Sequence, residues 1–230
     1  EILKKRDQFA TELEQLAGNQ ENIKQLSADI VDKEKVVSKL AIALADKREA
    51  GAKSLKSGVE KELKELHMNG VRFGVKFSYP PDVGGFVEYR KEKLKPTSLG
   101  LGTLEFLFSP NPGEDLRPLA KIASGGELSR IMLALKSILN EQDTIPVMIF
   151  DEVDAGIGGR VAEKVGDKLK KVSETKQVFC ITHLPQIAGM ASCHYRVEKH
   201  VQGKRTRSGI RQLEFEERVE EVARMSSGEK

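Results

Sequence analysis

Apolar residues stand at every seventh position from the start of the chain: Ile2, Phe9, Leu16, Ile23, Ile30, Val37 and Leu44. A stripe kept over that many heptads is the period of supercoiled helices, whose seam needs a second helix to cover it. The companion row is patchier, with Leu26 and Leu40 but also Asn19 and Lys33. The spacing shifts near Gly51, after which Leu55, Val59, Leu63 and Leu66 continue a helical stripe. Gly18-Asn19 and Gly51 are expected to interrupt the helix, because glycine weakens a helix interior by ~1 kcal/mol. A charged amphipathic helix lying on a globular core is the plainer alternative. Its length argues against that, since ordinary globular helices run about 8–20 residues. Residues 1–67 are therefore expected to form a helical arm packed against another helix.

From Val71 the period changes. Val71, Phe73, Val75 and Phe77 alternate with Arg72, Gly74, Lys76 and Ser78, as in a half-buried strand, until Pro80-Pro81-Asp82 breaks the pattern. Leu104-Glu105-Phe106-Leu107-Phe108 reads as a second strand, and the Lys- and Gly-rich stretch 90–101 as a mobile loop. A helix over 125–139, a strand over 147–150, a helix over 159–172 and a strand over 177–181 follow. Alternation of that kind predicts α/β layering with parallel central strands. Strands near 194–199 and 209–215, a helix near 216–225 and a frayed end complete residues 68–230, read as one α/β domain.

Composition sets looser bounds. The 38 Lys+Arg against 35 Asp+Glu leave +3, too near neutral to argue for nucleic-acid binding by itself. Two Cys, no secretory leader and no long apolar run point to a cytosolic protein with reduced thiols and no membrane span. The chain opens on Glu1 rather than Met and is read as a piece of a longer protein.

Three motifs carry the chemistry. Ser124-Gly125-Gly126-Glu127 opens an apolar helical run. Backbone N–H groups at such a start, with no Cβ in the way, can receive an anion beside the positive end of the helix dipole. Ser124 and Glu127 could equally form an ordinary capping box. Val147-Met148-Ile149-Phe150 runs into Asp151-Glu152, and open α/β sheets bind ligands at that end of their strands. Asp151 there could hold Mg²⁺ through water while Glu152 orients and deprotonates an attacking water, or the pair could simply cap the next helix. Phe179-Cys180-Ile181 ends in Thr182-His183, whose imidazole would emerge beside the carboxylates if the strands are neighbours. It could contact a γ-phosphate or hold water, or it could be structural. A zinc set of Cys180, His183, Cys193 and His194 lacks paired, convergent spacing. The basic stretch 199–211 reads as a solvated hairpin. No Gly-x-x-x-x-Gly-Lys-Ser/Thr loop to cradle phosphates occurs in the chain.

The runs Phe108-Ser109-Pro110-Asn111-Pro112-Gly113-Glu114, Ile122-Ala123-Ser124-Gly125-Gly126-Glu127-Leu128-Ser129-Arg130, Ile149-Phe150-Asp151-Glu152-Val153-Asp154-Ala155-Gly156 and Ile181-Thr182-His183-Leu184-Pro185-Gln186 resemble the RecN family. These are bacterial double-strand-break repair ATPases related to the structural-maintenance-of-chromosomes (SMC) proteins. The resemblance covers about residues 60–225, and the arm matches only in kind. It implies the C-terminal lobe of an ABC-type ATPase head, with residues 1–67 the return strand of an antiparallel coiled coil. Ser124, Gly125, Gly126 and Glu127 would then fall on the ABC signature that contacts ATP on the opposite head. Asp151 (Mg²⁺) and Glu152 (base) would be the Walker B pair. Asp154 would lie on the loop touching the partner site, and His183 would be the switch histidine. Implied partners are the N-terminal half of the same head, a second head in a homodimer, and DNA, at the bacterial nucleoid. An inactive scaffold module is the rival reading. A membrane-transporter subunit is a third, disfavoured by the heptad row.

Overall fold

The computed structural model describes residues 2–121, 124–202 and 205–227. Glu1, Ile122, Ala123, Gly203, Lys204 and the last three residues lie outside the description, as do further side chains in the first part of α1, Phe9 among them, and in 200–206. The elements run α1 (Ile2–Glu65), β1 (Arg72–Ser78), β2 (Val87–Tyr89), β3 (Glu92–Leu94), β4 (Thr103–Ser109), β5 (Arg117–Pro118), a 3-10 turn (Leu119–Lys121), α2 (Gly125–Leu139), β6 (Val147–Phe150), α3 (Gly159–Ser173), β7 (Gln177–Cys180), α4 (Pro185–Ala188), β8 (Tyr195–Gln202), β9 (Arg205–Gln212) and α5 (Phe215–Ser227).

Helix α1 is continuous over 64 residues. The expected interruptions at Gly18 and Gly51 do not occur. Neither glycine has any atom near its missing Cβ, so each costs only local propensity, about 1 kcal/mol, which a helix of this length absorbs. Its heptad stripe is bare: Ile2 is 86% exposed, and exposure is still 39% at Leu44.

The chain divides into two packed units. The first takes residues 1–53 and 76–104; the second takes residues 54–75 and 105–230. In the first, Ala41 and Ala45 of α1, one helical turn apart, pack with Val87, Tyr89, Leu94 and Leu101. The Tyr79 hydroxyl donates to Glu49 Oε1 at 2.9 Å, and the Tyr89 hydroxyl to Asp46 Oδ1 at 3.0 Å. The stretch 90–101, read from sequence as a loop, holds strand β3, paired antiparallel with β2 in the register Val87↔Leu94. Its two-residue turn places Arg90 and Lys91 at φ 53° and 69°, the left-handed geometry that tight hairpins demand and that Asn or Gly usually supplies.

In the second unit, Val59, Leu63 and Leu66 recur at spacings of four and three, so the end of α1 turns one face inward. They pack with Phe73, Phe108, Ile131, Met148 and Phe150. Helix α3 joins the core through Ala162, Val165, Leu169 and Val172, again one stripe. Lys168 of α3 ties back to α1 at Glu62 (2.6 Å) and Glu65 (2.5 Å). Strands β6 and β7 pair in parallel, Phe150 opposite Cys180, with α3 as the crossover between them. This is the α/β unit that the alternation predicts. The described residues of the basic stretch belong to β8 and β9, which pair antiparallel from Tyr195↔Gln212 to Gln202↔Arg205.

Candidate functional site

The parallel pairing fixes where the motifs meet. Ile181 N–H donates to the Phe150 carbonyl at 2.9 Å, the last rung of the β6–β7 ladder. The chain leaves both strands at the same end, delivering Asp151-Glu152 and Thr182-His183 side by side. Asp151 and Glu152 are exposed there, and the His183 side chain is 72% exposed.

Glu152 is the one residue in this corner with a strained backbone, at φ 56°. Left-handed geometry costs a side-chain-bearing residue roughly 1–2 kcal/mol and persists only where the surroundings enforce it. The enforcement comes from α2. Ser129 Oγ donates to the Asp151 carbonyl at 2.6 Å, and Arg130 Nη1 donates to the carbonyls of Ala155 (2.8 Å) and Val153 (3.4 Å). Arg130 is buried, which pulls its guanidinium below the usual arginine value; the Glu127 carboxylate one turn earlier pushes it back up. The Ala155 N–H closes the turn onto the Glu152 carbonyl at 3.0 Å.

The start of α2 is fitted to that loop. Ser124 is its N-cap, exposed, with Oγ accepting from Glu127 N–H at 3.4 Å. A Cβ on Gly125 would run into Glu152 Oε2; one on Gly126, which is buried, would stand 2.7 Å from the Ala155 Cβ and 3.1 Å from the Glu152 carbonyl. Gly126 is therefore needed for the helix start to lie against the 151–155 turn, whereas at Gly125 the exposed Glu152 side chain could swing aside. Glu127 is half-buried at the next position. Ser124 through Glu127, Asp151, Glu152 and His183 thus share one corner of the second unit.

Asp154 adjoins His183 but, unlike Asp151 and Glu152, is buried. Its side chain is only 4% exposed, and Oδ2 accepts from Thr182 Oγ1 at 2.5 Å and from His183 N–H at 3.0 Å. His183 Nδ1 lies 3.1 Å from the same oxygen. Thr182 Oγ1 in turn accepts from Leu184 N–H at 3.0 Å. Sequence reasoning gave no role to Ser129, Arg130 or Thr182. Their contacts join positions 22 to 28 residues apart, which no local pattern encodes.

The donor set suits a magnesium nucleotide better than a caged metal. Among the described residues no group of three or more His, Cys, Asp and Glu could hold a metal. A single exposed carboxylate, Asp151, fits an ion that keeps its waters and takes its other ligands from phosphate. The space left by Gly125 and Gly126 is taken by Glu152 and the 151–155 turn, so the part of the helix start open to a phosphate is the exposed Ser124 cap. No helix among the described residues is long and apolar enough to cross a membrane.

Solved heads of SMC proteins superpose on the chain: the Smc head domain with coiled coil and joint from Pyrococcus yayanosii gives a TM-score of 0.49 at 18% identity, over 78% of this chain and 30% of that one. No protein-family model matches the sequence. The DNA repair protein RecN of Bacillus subtilis is 36% identical over 99% of this chain and 40% of its own length. RecN of Halalkalibacterium halodurans is 39% identical over 94% of this chain and 37% of its own, and RecN of Treponema pallidum 42% over 94% and 38%. The chain therefore spans about two-fifths of the length of these relatives. Over nearly all of its own length, it is similar to the RecN family of DNA repair proteins.

Proposed function

We propose that this chain is the C-terminal lobe of an ATP-hydrolysing head in an SMC-like DNA double-strand-break repair protein. Residues 1–67 would be one strand of its coiled-coil arm and 68–230 the lobe. The observation that supports this most is the shared strand end of β6 and β7, which brings Asp151, Glu152 and His183 together next to the glycine-cleared start of α2. The phosphate-cradling loop has no counterpart in this sequence, so the rest of the protein would supply it. ATP with Mg²⁺ would supply the cleavable phosphoanhydride and charge neutralisation at its oxygens.

In this reading the chain's own residues divide the work. Asp151 holds the ion; Glu152 orients the attacking water and takes its proton; His183 contacts the same water or the terminal phosphate. Ser124, Gly125, Gly126 and Glu127 serve a second head's nucleotide, and the loop bearing Asp154 follows them to that boundary. Closure of two heads would then couple hydrolysis to holding or releasing DNA in the bacterial cytoplasm.

The bare heptad stripe of α1 and the uncovered face of β6–β7 support a partner for the chain, because both present apolar surface that such a partner would cover. The test is the solution mass of the complete protein by light scattering. ATP with Mg²⁺ should double the mass of the Glu152→Gln form, and adding Ser124→Arg should abolish the doubling. A mass unchanged by nucleotide would contradict the paired-head reading.

A further inference from the structure

His183 is held by more than its position at a strand end. From the carboxylate beneath it, the structure assigns a hydrogen to one particular ring nitrogen. Asp154 Oδ2 receives Thr182 Oγ1 and His183 N–H and lies 3.1 Å from His183 Nδ1, while the Asp154 side chain is nearly enclosed and the imidazole is mostly exposed. A neutral imidazole carries one donor and one acceptor nitrogen, and a carboxylate oxygen can only accept. An oxygen that only accepts, 3.1 Å from Nδ1, favours the tautomer with its hydrogen on Nδ1, which leaves the lone pair on Nε2.

We infer that Asp154 is a positioning residue for His183, fixing the Nδ1–H tautomer and the ring direction so that Nε2 acts as an acceptor. This deepens the ATPase reading and rests on it for its catalytic consequence. A neutral His183 so held accepts a hydrogen bond from the attacking water beside Glu152. It does not donate to a phosphate oxygen unless it first takes up a proton. Thr182 reinforces the arrangement, because its hydroxyl hydrogen is spent on Asp154 while its oxygen receives Leu184 N–H, which locks the backbone on both sides of His183. The same contacts turn the Asp154 carboxylate toward its own chain. Its part in a paired-head boundary would then run through the loop it braces rather than through its side-chain oxygens.

The tautomer is read directly by long-range proton–nitrogen NMR on the complete protein, free of nucleotide and labelled with ¹⁵N-histidine, at a pH of about 8.5, where imidazole is neutral. His183→Gln identifies the signals of that ring. The expected pattern is a protonated Nδ1 and a bare Nε2 in the unsubstituted chain, with the protonation moving to Nε2, the usual site in water, in Asp154→Ala. A bare Nδ1 in the unsubstituted chain overturns the inference without any variant having to fold. So does a retained Nδ1–H in a folded Asp154→Ala. In the complete protein, Asp154→Ala should lower turnover on the order of 10–100-fold, the range for groups that orient a metal-bound imidazole. The double variant with His183→Ala should be no slower than His183→Ala alone; additive losses overturn the pairing. The NMR arm contains no nucleotide, so its failure leaves the ATPase reading standing. A complete protein with no ATP turnover would sink the ATPase reading and leave the tautomer result intact.

Discussion

Glu152 and Cys180 show how differently two side chains can be treated at one strand end. Glu152 is exposed and held in left-handed geometry by contacts that α2 makes to the 151–155 turn. Cys180, opposite Phe150 on β7, lies partly inside, and its thiol is pushed up to about 12, first by burial and then by the carboxylates of Asp154 and Asp151. A thiol is nucleophilic only as thiolate, so at pH 8 Cys180 should resist alkylation while the exposed Cys193 reacts. Mass spectrometry after iodoacetamide treatment should find one carbamidomethyl group, on Cys193; equal labelling of both would contradict the burial. At this scale the sequence displayed the motif residues but not their alliances. Ser124, Asp151, Glu152 and His183 announce themselves through glycine neighbours and apolar strand ends. The link between Asp154 and Thr182 spans 28 positions and leaves no local trace.

Helix α1 carries two kinds of leucine, and the difference lies in what surrounds them. Leu26 is 60% exposed on the bare stripe, whereas Leu63 is fully buried among Phe73, Phe108 and Ile131. Leu63→Ala should destabilise the second unit by about 2–5 kcal/mol, through lost burial and a residual cavity. Leu26→Ala should change it by less than about 0.5 kcal/mol. Chemical denaturation followed by circular dichroism checks both, and similar losses would show that the stripe is already covered. Periodicity made α2 and α3 legible because each buries one face against the core, and made α1 legible through a stripe that stays bare in this chain. It failed for hairpin β2–β3, whose strands have three residues each and whose turn uses Arg90 and Lys91 in place of glycine or asparagine. That hairpin is held by tertiary contacts instead. Asp46 and Glu49 accept from its tyrosine and arginine, and the Arg90 guanidinium lies over the Tyr79 and Tyr89 rings at 5.6 and 5.3 Å.

Taken whole, the chain leaves apolar residues of β6 and β7 uncovered. Val147, Ile149, Phe179 and Ile181 alternate with the buried Met148 and Phe150 and face outward, Ile149 at 70% exposure. Parallel strands are normally covered on both faces, and a pair this short does not stand alone. If the remainder of the protein covers that face, Ile149→Lys with Phe179→Ser should reduce aggregation and dye binding by this chain, with little loss of thermal stability. The same changes should block its association with the remainder, scored by co-purification; undiminished association would place the covering surface elsewhere. The most direct measurement of the candidate site is ATP turnover by the complete protein with Glu152→Gln. A glutamine keeps the shape and removes the base, so turnover should fall by ~10²–10⁴-fold while nucleotide still binds. Turnover left unchanged would contradict the assignment of Glu152 and, with it, the catalytic corner built around it.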